Sequence, residues 1–264
     1  FTALSQIQNS KSVRAYLKNN NTHNYAVRQI ERAQENVSNS FECDDNGIPY
    51  KTQHNIRVAI RKMGYSLSYD TFSDRMIANG EYLDDALIEK IYLETEQRFK
   101  FKPAKDYYWM VVRNKARANA FHPIRDYLDG LKWDGKPRID RWLIDYAGAK
   151  DTEYTRAVSA IVLIAAVRRV RQPGCKFDEM LILESGQGTA KSTALAILAV
   201  KEDWFSDDLP LSSDTKRLIE SVKGRWIVEA SELKGMRKGE IEHLKSFLSR
   251  RIDRARLAYA RQPS

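Results

Sequence analysis

The chain is 264 residues long, 42% apolar and 30% charged, which is the composition of a globular protein with room for one large or two modest cores. Two distant cysteines (Cys43, Cys175) and four scattered histidines lack ligand spacing, which argues against a structural zinc site and fits free thiols in a reducing cytoplasm. No apolar run approaches the roughly 18 residues that a membrane span needs, and the net charge of +9 points to a polyanionic partner.

Residues 1–50 are polar and Asn-rich, with one helix expected around Tyr25 to Gln34 and a turn at Asp44-Asp45-Asn46-Gly47. Residues 51–122 predict a mainly helical accessory domain, winged-helix-like in its order of elements. Thr52 reads as the N-cap of a helix with Ile56, Ile60 and Met63 on one stripe, closed by Gly64. Tyr65 to Tyr69 alternates like a strand, with Phe72 to Ile77 as its partner and Asn79-Gly80 closing the unit. Two longer helices follow, Leu83 to Phe99 and Ala104 to Ala120. The second interleaves Tyr107, Tyr108 and Trp109 with Arg113, Lys115 and Arg117, a pattern open to both core packing and nucleic-acid contact. The pairs Asp44-Asp45 and Asp84-Asp85 read as turn and helix start, so nothing here resembles a primase metal cluster.

Residues 123–264 predict an α/β P-loop domain built on a parallel sheet and incomplete at its C-terminus. The chain opens on Phe1 and ends at Ser264, which reads as a fragment of a longer protein. Ile139 to Tyr146 predicts a helix, and Glu153 to Val170 a second that is apolar on nearly all sides and therefore buried. Leu181-Ile182-Leu183-Glu184 predicts a buried strand. It enters Ser185-Gly186-Gln187-Gly188-Thr189-Ala190-Lys191-Ser192-Thr193, and the helix Ala194 to Ala199 follows. Strand, glycine loop, Lys-Ser and helix are the parts of a phosphate-binding loop, whose backbone N–H groups turn toward phosphate oxygens at a helix N-terminus. In that pattern Lys191 reaches the terminal phosphates and the Ser192 hydroxyl ligates Mg²⁺. Two positions depart from it: Ser185 stands at the first glycine and Ala190 at the glycine before the lysine, tolerable where Ala190 keeps a negative φ.

Downstream, Arg225-Trp226-Ile227-Val228-Glu229 predicts a strand ending on a carboxylate, where a P-loop enzyme carries its second Mg²⁺ ligand. Glu232 follows closely enough to orient a water. Between Lys234 and Arg261 nine basic residues face three acidic ones, a surplus of six in about a tenth of the chain. Phosphate contacts and a solvated helical face are both open readings of that segment.

Seven segments together resemble the virulence-associated E family of phage- and island-encoded proteins, which is similar to superfamily 3 helicases. They are Pro123 to Leu128, Trp133 to Arg138, Gln172 to Asp178, Asp203 to Asp207, Gly224 to Glu229, Glu232-Leu233 and Leu244 to Arg250. The resemblance implies a cytoplasmic, mobile-element-encoded replication ATPase that takes ATP and Mg²⁺, assembles as a homo-oligomeric ring and acts on single-stranded or origin-like duplex DNA, with no membrane partner. It assigns phosphate binding to residues 185–193, Mg²⁺ to Ser192 and Glu229, water positioning to Glu232, and a trans-acting or DNA-contacting role to Arg250, Arg251 and Arg254. The family's proline and glycine after the arginine cluster are replaced by Leu257, Ala258 and Ala260, and the chain stops before the Thr-Asn sensor strand. The competing expectation is a DNA-binding or assembly module with a vestigial nucleotide site.

Overall fold

The structure, a computed structural model, describes residues 40–186, 188–209, 215–230 and 238–249. The helix expected at Tyr25 to Gln34 lies outside them. The chain divides into two compact units between Lys132 and Trp133.

The first unit starts from a turn and a cap. Asp44 Oδ1 accepts the N–H groups of Asn46 and Ile48, and Gly47 takes the positive φ that closes this turn. Thr52 Oγ1 accepts the Asn55 N–H and starts helix α1, Gln53–Lys62, whose buried stripe carries Ile56, Ala59 and Ile60. Asn55 is fully buried and sews the preceding segment to the helix. Its Oδ1 accepts from Glu42 N at 2.9 Å, and its Nδ2 donates to the carbonyls of Glu42 and Tyr50, both at 2.7 Å.

Strands β1 (Leu67–Asp70) and β2 (Arg75–Ala78) pair antiparallel, with Leu67 opposite Ala78. The Asn79-Gly80 turn leads not to the end of the unit but to a short third strand, β3 (Glu81–Tyr82). Asp84 caps helix α2, Asp85–Phe99, and is therefore a helix-start residue. Helix α3 (Lys105–Ala118) runs straight into β4 (Ala120–Phe121), which lies parallel to β1, with Tyr69 opposite Ala120. The expected hairpin is thus half of a mixed four-stranded sheet, ordered β3-β2-β1-β4. Its core joins Ile56 and Ile60 of α1, Ile88 and Ile91 of α2, and Tyr108, Val111 and Val112 of α3. Tyr108, fully buried, shares a 2.8 Å hydrogen bond with Thr95 Oγ1, and burial pushes its phenol up to about 12.

Sequence divides the chain after residue 122. In the structure helix α4, Pro123–Gly130, groups with the first unit. His122 accounts for this: its Nδ1 accepts the Arg125 N–H as an N-cap, while its ring packs on Phe72, centroids 5.3 Å apart.

In the second unit, α5 (Trp142–Asp145) and α6 (Glu153–Arg171) pack together, and Trp142 Nε1 donates to Ser159 O at 2.9 Å. Helix α6 is not buried all round. Ser159, Ala165 and Val170 are covered, but Ile161 and Ile164 are about half exposed, because its partners occupy one side only. After α7 (Lys191–Leu198) and a 3₁₀ turn (Glu202–Trp204), β5 (Phe205–Ser206) pairs parallel with β6 (Ile227–Val228). Helix α8, Thr215–Val222, lies in the crossover between them, and α9 is Lys238–Leu248. The run Leu181–Glu184 forms no strand. Ile182 is 60% exposed, and no segment among the described residues supplies the ladder partner that a strand needs.

Asn55→Ala leaves the Glu42 N–H without its partner, while the Glu42 and Tyr50 carbonyls keep the N–H groups of Tyr50 and Thr52, so it costs about 1–2 kcal/mol. Urea unfolding followed through Trp109, in the same unit, measures it. A change below about 0.5 kcal/mol would mean that water replaces all three bonds.

Candidate functional site

The loop ahead of α7 owes its shape to two backbone reversals. Gly188 has φ +79°, and Ala190 sits in the left-handed region at φ 60°, ψ 31°. The condition under which alanine is tolerable here, a negative φ, is therefore not met. The turn into α7 needs the conformation that glycine adopts freely, and alanine pays on the order of 1–2 kcal/mol for it. Ala190 offers α7 no side-chain cap, and no acidic residue occupies the helix's first turn. The N-terminal N–H groups and the positive end of the helix dipole are left for an anion.

Lys191 folds back over the loop. Its Nζ donates to Ser185 Oγ at 2.9 Å and to Gly186 O at 3.1 Å, with Ser185 O and Thr189 Oγ1 each at 3.4 Å. Ser185 and Thr189 also share a hydrogen bond through their hydroxyls. All four acceptors are neutral, so the ammonium is hydrogen-bonded but not charge-neutralised by the loop.

One residue on, Ser192 Oγ donates to Glu229 Oε1 at 2.9 Å across 37 residues of sequence. Glu229 directly follows β6, and its N–H donates to Ser206 O at 2.7 Å, which extends the β5–β6 ladder to the carboxylate. Trp226 braces the same strand from behind. Its N–H reaches Trp204 O at 2.7 Å, its Nε1 reaches Ala166 O of α6 at 3.1 Å, and its ring meets Trp204 edge-on. Helix α7 packs on both β5 and β6. Sequence pattern did not single out Ser206 or Trp226 as supports for the acid. Their signal was the Trp-Phe-Ser and Arg-Trp-Ile motifs, which carry no spacing rule for this role.

The second oxygen of Glu229, Oε2, is buried and has no hydrogen-bond partner among the described residues. A buried orphan carboxylate oxygen costs free energy unless a donor or cation meets it. A hydroxyl beside a carboxylate is also the usual protein share of a Mg²⁺ site, the rest coming from water and phosphate oxygens. The residues present therefore fit a Mg²⁺–nucleotide, which Ser192 and Glu229 would ligate.

Of the other expected site residues, Gly186, Thr189 and Thr193 are exposed beside this cradle. Gln187, Glu232, Arg250, Arg251 and Arg254 lie outside the described residues. No cluster of three or more His, Cys, Asp or Glu side chains at metal-binding distance exists among the described residues, and none of their helices is long and apolar enough to cross a membrane.

A mixed α/β unit with an uncapped loop–helix junction facing a strand-end acid is thus what the fold defines. A family model, the virulence-associated protein E-like domain, matches residues 128–264, half of the chain, and the chain belongs to that family. No curated protein matches it.

Replacing Ala190 by glycine removes the left-handed penalty at a small cost in unfolded-chain entropy. Ala190→Gly is therefore stabilising by about 0.5–1 kcal/mol, the reverse of glycine's usual effect beside a helix. Thermal unfolding gives the sign directly, and a lower Tm would mean that residue 190 does not hold a positive φ in solution.

Proposed function

We propose that this chain is a replication-type ATPase that binds ATP with Mg²⁺ on residues 185–193 and works on DNA as a homo-oligomeric ring. The observation that carries the reading is the Ser192–Glu229 hydrogen bond with Oε2 left orphaned, since it joins a phosphate-loop hydroxyl to a strand-end acid from a distant part of the chain. Membership of the virulence-associated protein E-like family supports a replication-related role associated with phages or plasmids, and such proteins are linked to NTPase and helicase activity.

The chemistry follows from the side chains. Phosphate oxygens entering the loop displace the neutral oxygens around Lys191 and give its ammonium a charged partner, an exchange that favours the nucleotide. The N-terminal N–H groups of α7 take further phosphate oxygens. Ser192 and Glu229 would hold a Mg²⁺, which would supply positive charge to offset that of the phosphates. Glu232 orients a water for attack on the γ-phosphorus. The bond to the bridging oxygen breaks, and ADP and phosphate leave. Arg250, Arg251 or Arg254 of a neighbouring subunit offsets the charge that builds up.

One observation favours a second reading. The strained Ala190 in place of glycine fits a loop that has lost its nucleotide, with the chain serving as a DNA-binding or assembly module. A fluorescent ATP analogue separates the two. On the ATPase reading the chain binds it only with Mg²⁺, and Lys191→Ala weakens binding at least about a hundredfold, as for a charged partner worth about 3 kcal/mol. Absence of binding at millimolar nucleotide supports the second reading.

A further inference from the structure

The first unit carries a basic surface that the nucleotide site does not use. On α3, Met110, Arg113, Asn114 and Arg117 are all exposed and fall at i, i+3, i+4 and i+7, on one stripe of the helix. Helix α1 lies alongside, and Arg57 Nη2 donates to Asn114 Oδ1 at 2.9 Å. Both helices lead through tight connections into parallel neighbouring strands, β1 and β4, so they run side by side in one direction. Arg57 therefore reaches the α3 stripe at Asn114.

Like Lys62 over Phe41 and Arg75 over Tyr82, two of these arginines have ring neighbours, in contrast to three cations of the unit that pair with acids. Arg98, Lys102 and Lys105 are each salt-bridged to a glutamate. Arg113 and Arg117 instead lie over aromatic rings, Arg113 5.3 Å from the Trp109 centroid and Arg117 5.7 Å from that of Tyr69. Among the described residues neither has a carboxylate partner. Arg57 Nε is buried and makes no hydrogen bond. Helix α1 contains no acidic residue, and α3 has only Asp106, which continues this stripe one turn before Met110 and two turns before Arg113.

A guanidinium within cation–π range of a ring is held near it, and its N–H fork still has donors for an anion. Two such groups one helical turn apart, with an exposed Met110 in line, place phosphate donors beside aromatic and apolar surface. Single-stranded nucleic acid is recognised through that combination of basic track and planar groups. An acidic peptide needs the charge but has no use for the neighbouring aromatic and apolar groups.

We propose that the α1–α3 face, through Arg57, Arg113 and Arg117 on their Trp109 and Tyr69 supports, is a binding track for single-stranded DNA. This deepens the proposed function by giving its DNA partner a place on the first unit, and it rests on that reading.

The test is fluorescence anisotropy of the whole chain with a labelled oligo-dT across a salt series, for wild type and Arg113→Ala/Arg117→Ala. Both side chains are exposed, so the variant keeps the wild-type Tm. The expected result is about a tenfold loss of affinity. The slope of log K against log salt falls by about 1.4, from roughly 0.7 per phosphate on a single strand. Binding of the ATP analogue stays at the wild-type level. If wild type binds oligo-dT and the variant binds equally well, the track is wrong while the DNA-directed ATPase reading stands. Wild type that binds ATP but no oligo-dT removes both the track and the DNA partner. Polyglutamate that competes as well as oligo-dT overturns the single-strand assignment in favour of a general acidic-polymer surface.

Discussion

The Ser192–Glu229 contact is the constraint on which the second unit's chemistry depends. It can form only if the loop–helix junction and the end of β6 arrive at one place, and each is positioned by separate means. Lys191 and Ser192 are fixed by the start of α7. Glu229 is fixed by its own N–H on Ser206 O. A parallel ladder of two residues per strand is weak by itself. The two tryptophans make up for that, since Trp226 ties β6 both to α6 and to the 3₁₀ turn before β5. The acid's position is thus a consequence of indole packing some distance from the charge.

The loop itself combines favourable and unfavourable features. Its lysine is surrounded by neutral acceptors, its helix end is uncapped, and its alanine is held in a conformation suited to glycine. The first two leave the junction ready for an anion. The third stores strain at the same junction, as backbone outliers at functional sites often do. The first unit relies on other physics. A conventional apolar core between three helices and a sheet is supported by the buried Asn55 and the Tyr108–Thr95 hydrogen bond, and its outer face leaves arginines on aromatic rings instead of on acids.

Local signals were legible where one short pattern determines the geometry. Thr52 and Asp84 cap helices, Asp44 to Gly47 makes its turn, and Glu229 follows a strand. What depends on distant partners was not. Leu181 to Glu184 has the apolar composition of a buried strand but no ladder neighbour among the described residues, and strand formation is decided by that neighbour. The central residues of α6 are apolar all round, yet packing covers one side, so Ile161 and Ile164 face outward. The sequence of α3 allowed both core and nucleic-acid readings, and the structure bears out the core reading for one face only. Tyr108, Val111 and Val112 point inward, while Arg113 and Arg117 lie outside. The φ of Ala190 could not be read at all, because backbone sign at a loop–helix junction is set by the closure of the loop.

The most direct test of the account is a double-mutant cycle on Mg²⁺-dependent ATP-analogue affinity with Ser192→Ala, Glu229→Gln and the pair. If the two side chains hold one metal together, their effects are coupled, and the double variant loses less than the sum of the singles by about 1–3 kcal/mol. Additivity within about 0.5 kcal/mol, or no dependence on Mg²⁺ in the wild type, would contradict a shared site.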